Sequence, residues 1–241
     1  MKIVFLAAGK GSRIYSKIKI NKSLIKIKKK TIISRLIENI PNRNINKIII
    51  VLGFNYKKII KEIKKYNVSY IINKDYKKTE MLHSMYLALK KYDDDMIFSY
   101  TDIIYNKSII KKILKNKPKN ICLPIYTDWQ KIWNIRKKEI LEDAETLRTK
   151  GNRLIEIGEK IKKIKDVQGQ FMGIFFIPKN KRKLIMNIIE NNSLKKKQIT
   201  FFMNYLLKKK IIINTVKYME DWYEFDDYQD LLEYNKFIIN D

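Results

Sequence analysis

The residues best suited to chemistry in this chain stand near its beginning, where a short apolar run meets a turn of small residues. Residues 3–7 are apolar and predict a buried strand, and residues 8–13 follow as a glycine-bearing turn. A strand that stops at small residues leaves backbone N–H groups uncovered, and such a concavity binds anions, phosphate above all. Arg13 offers a forked guanidinium and Lys22 a point charge on a flexible stem. The stretch predicts a phosphate site; the alternative is a strand-to-helix turn without a ligand.

Two aspartates that are far apart in the sequence supply the carboxylate groups that a hard divalent cation binds. Asp102 comes directly after a predicted strand, residues 96–100, and Asp226 lies near the other end of the sequence. If both converge beside the phosphate site they would hold Mg²⁺, which binds to a few carboxylates together with phosphate oxygens and water. Either aspartate can instead be a helix N-cap or a turn residue, and Asp227 competes with Asp226 for both roles.

The elements that must position these groups alternate between apolar runs and helical periodicity in the first half. Predicted strands cover residues 47–52, 69–72, 96–100 and 121–125, and predicted helices cover residues 56–65, 80–91 and 108–115. Repeated strand–helix units predict an α/β fold with a doubly wound, mostly parallel sheet. In such a sheet, ligands bind at the carboxyl ends of the strands.

The second half has a different pattern. Residues 145–150 and 153–157 flank Gly151 and predict a hairpin, and residues 170–177 predict one strand that ends at Pro178. Further predicted elements are helices at 181–190, 200–208 and 228–238 and a strand at 211–216. No linker-like composition separates the halves. We therefore expect a single domain, residues 1–241, with a small substrate-facing subregion near residues 124–170.

Composition narrows the class of protein. The 241 residues are 45% apolar, which is enough for a core, and they contain no apolar run long enough to span a membrane. The one cysteine, Cys122, lies in an apolar run, which indicates a core residue. The apolar run at residues 3–7 is too short for a secretory signal. We therefore expect a cytoplasmic protein. The net charge of +27 comes from lysines spread along the chain. This pattern indicates solvated helix faces, with no specific nucleic-acid partner and no membrane partner.

Three stretches resemble motifs of the sugar-nucleotidyltransferase-like enzymes. Leu6-Ala7-Ala8-Gly9-Lys10-Gly11-Ser12-Arg13 resembles the signature L-A-A-G-x-G-[ST]-R. The family then has a Pro-Lys pair, and Asn21-Lys22 stands in its place, so the lysine is kept and the proline is not. Ser99-Tyr100-Thr101-Asp102 resembles the aspartate motif that follows the fourth strand, and Glu224-Phe225-Asp226-Asp227-Tyr228-Gln229-Asp230 resembles E-I-D-[ST]-x-x-D.

Further stretches are similar to the phosphocholine-cytidylyltransferase-like branch, which also includes enzymes acting on L-glutamine phosphate and on aminoethylphosphonate. Residues 78–84 resemble T-[NE]-x-x-x-S, residues 141–147 with 156–160 resemble L-x-D-A-E-T-L…E-I-G-x-K, and residues 168–174 resemble E-G-Q-Y-[MI]-G-L. The resemblance implies a Rossmann-like nucleotidyltransferase fold and a place in cell-surface polysaccharide or phosphonate biosynthesis.

The resemblance also implies roles for the matching residues. Lys22 and Arg13 would be catalytic, and Asp102 and Asp226 would be the Mg²⁺ ligands. The expected nucleotide-binding residues are Leu6, Ala7, Ala8, Gly9, Gly11, Ser12, Arg13, Thr79, Ser84 and Tyr100. The expected substrate-binding residues are Asp128, Trp129, Asp143, Glu145, Lys160, Gln170, Gly173 and Trp222.

The implied reaction is the Mg²⁺-dependent transfer of CMP from CTP to the phosphate or phosphonate of a small amine-bearing molecule, with release of pyrophosphate. Tryptophans near carboxylates suit a cationic amine or quaternary ammonium head, although they can equally be core tryptophans beside solvated acids. The acceptor dianion is already a nucleophile, so the reaction requires no general base and His83 is expected to be structural.

Two other functions stay open at this point. One is a sugar-1-phosphate nucleotidyltransferase that uses UTP or dTTP, and the other is a non-catalytic basic module that binds nucleotide or nucleic acid. The identity of the acceptor, the base preference and the oligomeric state, with a homodimer as one option, are not determined by the sequence.

Overall fold

The computed structural model describes residues 1–41, 44–116, 118–136, 144–191 and 193–239, and every structural statement below concerns these ranges. Its strands are β1 (Lys2–Ala7), β2 (Lys26–Ile27), β3 (Lys30–Thr31), β4 (Lys47–Leu52), β5 (Ser69–Ile72), β6 (Met96–Tyr100), β7 (Ile103–Tyr105), β8 (Ile121–Tyr126), β9 (Glu145–Lys150), β10 (Arg153–Lys160), β11 (Gln170–Phe171), β12 (Ile174–Ile177), β13 (Ile213–Tyr218) and β14 (Trp222–Glu224). Its α-helices are α1 (Ser12–Ile18), α2 (Ile32–Glu38), α3 (Tyr56–Ile63), α4 (Met81–Lys91), α5 (Ser108–Asn116), α6 (Trp129–Arg136), α7 (Lys179–Asn191), α8 (Ile199–Lys208) and α9 (Tyr228–Ile239).

One large sheet joins strands from both halves of the chain, in the order β5-β4-β1-β6-β12-β8-β13-β10-β9, with β11 paired to β8. Strands β5, β4, β1 and β6 run parallel, and so do β8 and β13. Strand β12 enters antiparallel between β6 and β8. The doubly wound, mostly parallel sheet is therefore confirmed. Strand β1 is apolar throughout residues 3–7 because both faces of this central strand are buried.

The predicted hairpin is present, since β9 and β10 pair antiparallel around Gly151. The single strand predicted over residues 170–177 is wrong, because the chain breaks into β11, which pairs with β8, and β12, which lies between β6 and β8. The break falls at Gly173, whose φ of 70° is in the left-handed region, and a Cβ there would lie 2.9 Å from the Tyr100 ring. Only glycine fits that conformation without strain.

A small two-stranded sheet outside the large one connects distant parts of the chain. Strand β7 pairs antiparallel with β14, so that Ile103 lies opposite Glu224. The backbone N–H of Phe225 donates to the carbonyl of Asp102 at 2.8 Å. This short pairing holds the segment after β6 against the segment before α9, and it therefore brings Asp102 beside Asp226.

Two of the expectations from composition can be compared with this fold. Cys122 is buried in β8, and burial raises the pKa of its thiol to about 12, as fits a core residue. Among the helices of the described ranges, none combines the length and the apolarity that a membrane crossing requires.

Candidate active site

A cavity of about 1420 Å³ opens at the carboxyl ends of β1 and β6. Residues 6–13 and 21–23 line it from the first half of the chain, and residues 144–147 and 169–171 line it from the second. The carboxylates of Asp102, Glu224 and Asp226 also face it. The cavity is therefore large and polar enough for a nucleotide at one end and a smaller molecule at the other.

The turn after β1 depends on two glycines for different reasons. Gly11 has a φ of 62°, and a Cβ there would lie 2.6 Å from Cγ of Lys22. A Cβ on Gly9, by contrast, would meet no atom within 4 Å. The local geometry therefore favours glycine at position 11, because the Lys22 side chain passes directly against the turn. Gly9 borders open space in the cavity, where its backbone can be approached by a phosphate.

Lys22 lies between the two aspartates. Its Nζ is 3.2 Å from Oδ2 of Asp102 and 3.4 Å from Oδ1 of Asp226, and the side chain is only 14% exposed. Burial lowers the pKa of Lys22, but the neighbouring carboxylates Asp102, Asp226 and Glu224 outweigh it and leave the pKa above its ordinary value. Lys22 therefore stays positively charged at neutral pH. Arg13, which is largely exposed, also pairs with Asp226.

Glu224 is a third carboxylate at this position, and the sequence analysis did not assign it a role. Its Oε2 accepts a hydrogen bond from Nε2 of Gln170 at 3.4 Å and lies 3.9 Å from Nη1 of Arg136. Burial, and next the charge of Asp102, raise the pKa of Glu224 to about 8. A signal for it was present, because Glu224 occupies the first position of the motif that contains Asp226.

The two aspartates suit a cation that takes only part of its ligands from protein. Oδ1 of Asp102 is buried and has no hydrogen-bond partner among the described residues, whereas Oδ2 faces Lys22. No three His, Cys, Asp or Glu side chains within the described ranges are close enough to hold a metal ion by themselves. Such a donor set fits Mg²⁺ bound jointly to carboxylates, phosphate oxygens and water, and it does not fit a closed structural zinc site.

Asn21 holds the loop in place at the position where the Pro-Lys motif described above has proline. Its side chain donates to the carbonyls of Gly9 at 3.4 Å and Phe54 at 3.3 Å, and its Oδ1 accepts from the Ser23 N–H at 3.0 Å. The residue is 2% exposed. These bonds join the turn after β1 to the turn that carries Lys22. Three hydrogen bonds of Asn21 therefore hold this loop in place without a proline.

The expected nucleotide-binding residues Thr79 and Ser84 line the cavity beside the turn after β1. Asn73, which is 1% exposed, donates from Nδ2 to Thr79 Oγ1 at 3.3 Å and to Ser84 Oγ at 3.2 Å. Asn73 itself lines the cavity and was not predicted. Its position after β5 is the signal that was available, since polar residues at the ends of parallel strands face the ligand edge.

The expected substrate-binding residues fall into three groups. Within the described ranges, Trp129, Glu145 and Gln170 line the cavity, whereas Asp128, Lys160, Gly173 and Trp222 do not, and Asp143 lies outside the described residues. Asp128 and Lys160 are exposed. Gly173 and Trp222 lie behind the wall: Gly173 packs under Tyr100, and Trp222 donates from Nε1 to the carbonyl of Met172 at 3.0 Å.

The cavity has a further polar wall that sequence reasoning missed. Lys196, Gln198 and Thr200, just before and within the start of α8, line it. Helix α8 packs closely on β10, because Gly158, with a φ of 80°, has no side chain where a Cβ would lie 3.1 Å from Cβ of Thr200. The glycine of the motif E-I-G-x-K therefore allows the start of α8 to pack directly against β10. Only the tertiary structure shows this role.

His83 is buried at 7% exposure, and its ring stacks on Tyr86. It is not among the residues of the described ranges that line the cavity. Burial, and next the charge of Lys195, lower the pKa of His83. A neutral histidine in this position agrees with a structural role.

This fold, with a small-residue turn, a buried lysine and two carboxylates at the carboxyl edge of a parallel sheet, is that of a nucleotidyltransferase. Residues 3–163 match the family described as the MobA-like NTP transferase domain, and the chain belongs to that family. The match covers the turn, Lys22 and Asp102, and it ends before Asp226.

Several similar proteins align with the chain over almost its whole length. It is 29% identical to a CTP:phosphoglutamine cytidylyltransferase of Campylobacter jejuni, over 96% of this chain and 98% of that protein. A solved CTP:phosphocholine cytidylyltransferase of Streptococcus pneumoniae aligns with a TM-score of 0.74 at 17% identity, covering 98% of each chain. A candidate glucose-1-phosphate thymidylyltransferase of Bacillus anthracis aligns with a TM-score of 0.76 at 19% identity, covering 98% of this chain and 94% of that one. At such identities, the two solved structures establish the fold alone.

Proposed function

We propose that this enzyme is a cytidylyltransferase that transfers CMP from CTP to the phosphate or phosphonate of a small amine-bearing molecule. An acceptor of the phosphoglutamine type is favoured, because the relative that is 29% identical over nearly the full length is a CTP:phosphoglutamine cytidylyltransferase. The observation that carries the proposal is the position of Lys22, within 3.4 Å of both Asp102 and Asp226 and directly against the glycine turn.

The triphosphate binds at the turn after β1. Gly9 and Gly11 line this part of the cavity, where their backbone N–H groups would bind phosphate oxygens, and Arg13 and Lys22 supply positive charge from the side. The cytosine and ribose lie toward the edge formed by Thr79 and Ser84. Both cations pair with Asp226, and nucleotide binding would exchange these ion pairs for contacts to phosphate oxygens.

Asp102 and Asp226 would hold Mg²⁺, which, when bound, supplies positive charge to the α-phosphate and the leaving pyrophosphate. An oxygen of the acceptor's phosphate or phosphonate attacks the α-phosphorus of CTP and forms a new P–O bond. The bond from the α-phosphorus to the oxygen that bridges to the β-phosphorus breaks, and pyrophosphate leaves with that electron pair. The attacking dianion has no proton to lose, so no general base is needed. Lys22 and Arg13 position the phosphates and stabilise the developing charge.

The acceptor binds at the other end of the cavity. The side-chain oxygens of Glu145 and Gln170 can accept hydrogen bonds from an ammonium group there, and Trp129 contributes apolar surface. Lys160, exposed on β10 opposite Glu145, contacts the acceptor phosphate in this proposal.

The experiment is a matrix of nucleotides against acceptors with pyrophosphate release as the readout. CTP, UTP, dTTP, ATP and GTP are each incubated with Mg²⁺ and phosphoglutamine, phosphocholine, aminoethylphosphonate or glucose 1-phosphate. Release with CTP and an amine-bearing acceptor supports the proposal. Turnover confined to UTP or dTTP with the sugar phosphate contradicts the cytidylyl assignment. If no pair reacts and oligonucleotides bind at physiological salt, the protein is a binding module.

A further inference from the structure

A buried ion pair lies next to the carboxylates and has no role in the reaction described above. Nε and Nη2 of Arg136 donate to the two carboxylate oxygens of Asp230 at 2.9 Å and 3.1 Å. The two residues are 1% and 0% exposed. Removing both charges from water is costly, and replacing such pairs by apolar residues is often neutral or stabilising. A bidentate pair at this depth therefore invites an explanation beyond stability.

Asp230 directly supports the segment that carries Asp226. Its Oδ2, besides accepting from Arg136, accepts from the backbone N–H of Asp226 at 2.7 Å and of Asp227 at 3.0 Å. The Asp230 N–H in turn donates to Oδ1 of Asp227 at 3.0 Å. The Asp230 carboxylate thus caps the start of α9, and these hydrogen bonds set the position of the Asp226 backbone.

Arg136 connects the same carboxylate to the other end of the cavity. It is the last residue of α6, the helix that contributes Trp129 and Trp133 to the cavity wall and that packs against α9. Its guanidinium lies 4.5 Å from the centre of the Trp133 ring, and its Nη1 is 3.9 Å from Glu224. The guanidinium of Arg136 therefore holds α6, which lines the acceptor end of the cavity, against the segment that carries Glu224 and Asp226.

We propose that Arg136 and Asp230 are positioning residues of this site: the pair fixes Asp226 for metal–nucleotide binding and fixes α6 for the acceptor. The inference rests on the proposed function, because it takes Asp226 to be a metal ligand. Residues that orient the ligands of a metal from outside its coordination shell are often needed for full affinity. Arg136 itself lines the cavity. In this proposal the pair acts through Asp226 and Trp133 and not on the reacting atoms.

The test measures binding without requiring turnover. Mg²⁺–CTP is titrated calorimetrically, without acceptor, into the wild type and into Arg136→Lys, Asp230→Asn and Asp226→Asn. Arg136→Lys keeps the positive charge but loses the bidentate fork and the flat stacking surface. We expect Arg136→Lys and Asp230→Asn to weaken the Kd for Mg²⁺–CTP about 10-fold or more. With phosphoglutamine as acceptor, the KM for phosphoglutamine should rise in the same two variants.

Arg182→Gln is the matched control for loss of a partly buried arginine. Arg182 donates from Nε to the carbonyl of Leu89 at 2.6 Å and pairs with Asp93, and within the described ranges it does not line the cavity. This variant should lower the melting temperature and leave the Kd for Mg²⁺–CTP unchanged. The same pattern in Arg136→Lys, a lower melting temperature with an unchanged Kd, would overturn the inference. If Asp230→Asn does not fold, Arg136→Lys alone decides.

Asp226→Asn separates the failure of the inference from the failure of the proposed function. If its Kd is weakened while those of Arg136→Lys and Asp230→Asn are not, only the positioning role is overturned. If Asp226→Asn binds Mg²⁺–CTP as the wild type does, Asp226 is not a metal ligand, and both proposals fall together.

Discussion

Replacing Asn21 by alanine should cost both stability and turnover, because its side chain ties the Lys22 turn to the phosphate turn. The change removes the bond to the Ser23 N–H at 3.0 Å, which caps a short 3-10 turn, and longer bonds to the carbonyls of Gly9 and Phe54 at 3.4 Å and 3.3 Å. A lost cap costs about 0.5–2 kcal/mol. The two longer bonds add less than the roughly 1 kcal/mol of a well-formed bond.

We therefore expect Asn21→Ala to lower the free energy of unfolding by about 2 kcal/mol. Urea unfolding measures this change, and pyrophosphate release measures kcat and KM for CTP. Because Lys22 is released with the loop, kcat should fall in addition to the loss of stability. Asn106→Ala is the control, since it removes a similar bond, from the Ser108 N–H to Asn106 Oδ1 at 3.0 Å, on the exposed start of α5. That variant should lose stability and keep kcat.

Asn21→Pro tests the same reasoning from the opposite side. Asn21 has φ and ψ of −64° and 137°, a conformation that proline adopts without strain. Proline restricts the unfolded chain, and at a compatible position this stabilises by about 0.4–1 kcal/mol. Stability and kcat of Asn21→Pro should lie between those of Asn21→Ala and the wild type. Asn21 does not have this role if Asn21→Ala has the stability and the kcat of the wild type, or if Asn21→Pro is less stable and less active than Asn21→Ala.

Three further outcomes follow from the same site. Gly11→Ala places a Cβ 2.6 Å from Cγ of Lys22 at a φ of 62°, so steady-state assays should show a lower kcat in a folded protein. Lys22→Met removes the ammonium between Asp102 and Asp226 and should reduce kcat about 100-fold or more, with an unchanged circular dichroism spectrum. The pKa of His83 is lowered in the folded state, so its contribution to stability is complete above its ordinary value of 6.5 and is lost as the pH falls from there through the lower pKa of the folded protein. Below about pH 6.5 the free energy of unfolding should therefore fall more steeply in the wild type than in His83→Gln.

The parts of the site that are contiguous in sequence could be predicted, and those that depend on tertiary pairing could not. The turn at residues 6–13 is visible because a buried strand, small residues and an arginine follow one another directly. Asp102 is visible because it follows shortly after an apolar strand. What brings it to Asp226 is the pairing of β7 with β14, and strands of three residues have too little periodicity to be recognised.

The acceptor end was the least predictable part. The types of Trp129 and Trp222 suggested contacts to a ligand, yet they are 5% and 3% exposed, and Trp222 lies behind the wall. Arg136 and Asp230 look like ordinary surface charges in a sequence with 32% charged residues, and only the fold shows that they pair in the interior. The expectation of a single domain stays a prediction, supported by the sheet that joins both halves.

In the proposed mechanism, the turn after β1, Lys22, Asp102 and Asp226 surround one metal-bound triphosphate. This arrangement is tested by the Mg²⁺ dependence of pyrophosphate release from CTP by Asp102→Asn, a variant that keeps the shape of the side chain and removes its charge. The variant should fold like the wild type, need far more Mg²⁺ for half-maximal activity and turn over slowly even when Mg²⁺ is saturating. An unchanged Mg²⁺ requirement and an unchanged rate in Asp102→Asn would contradict it.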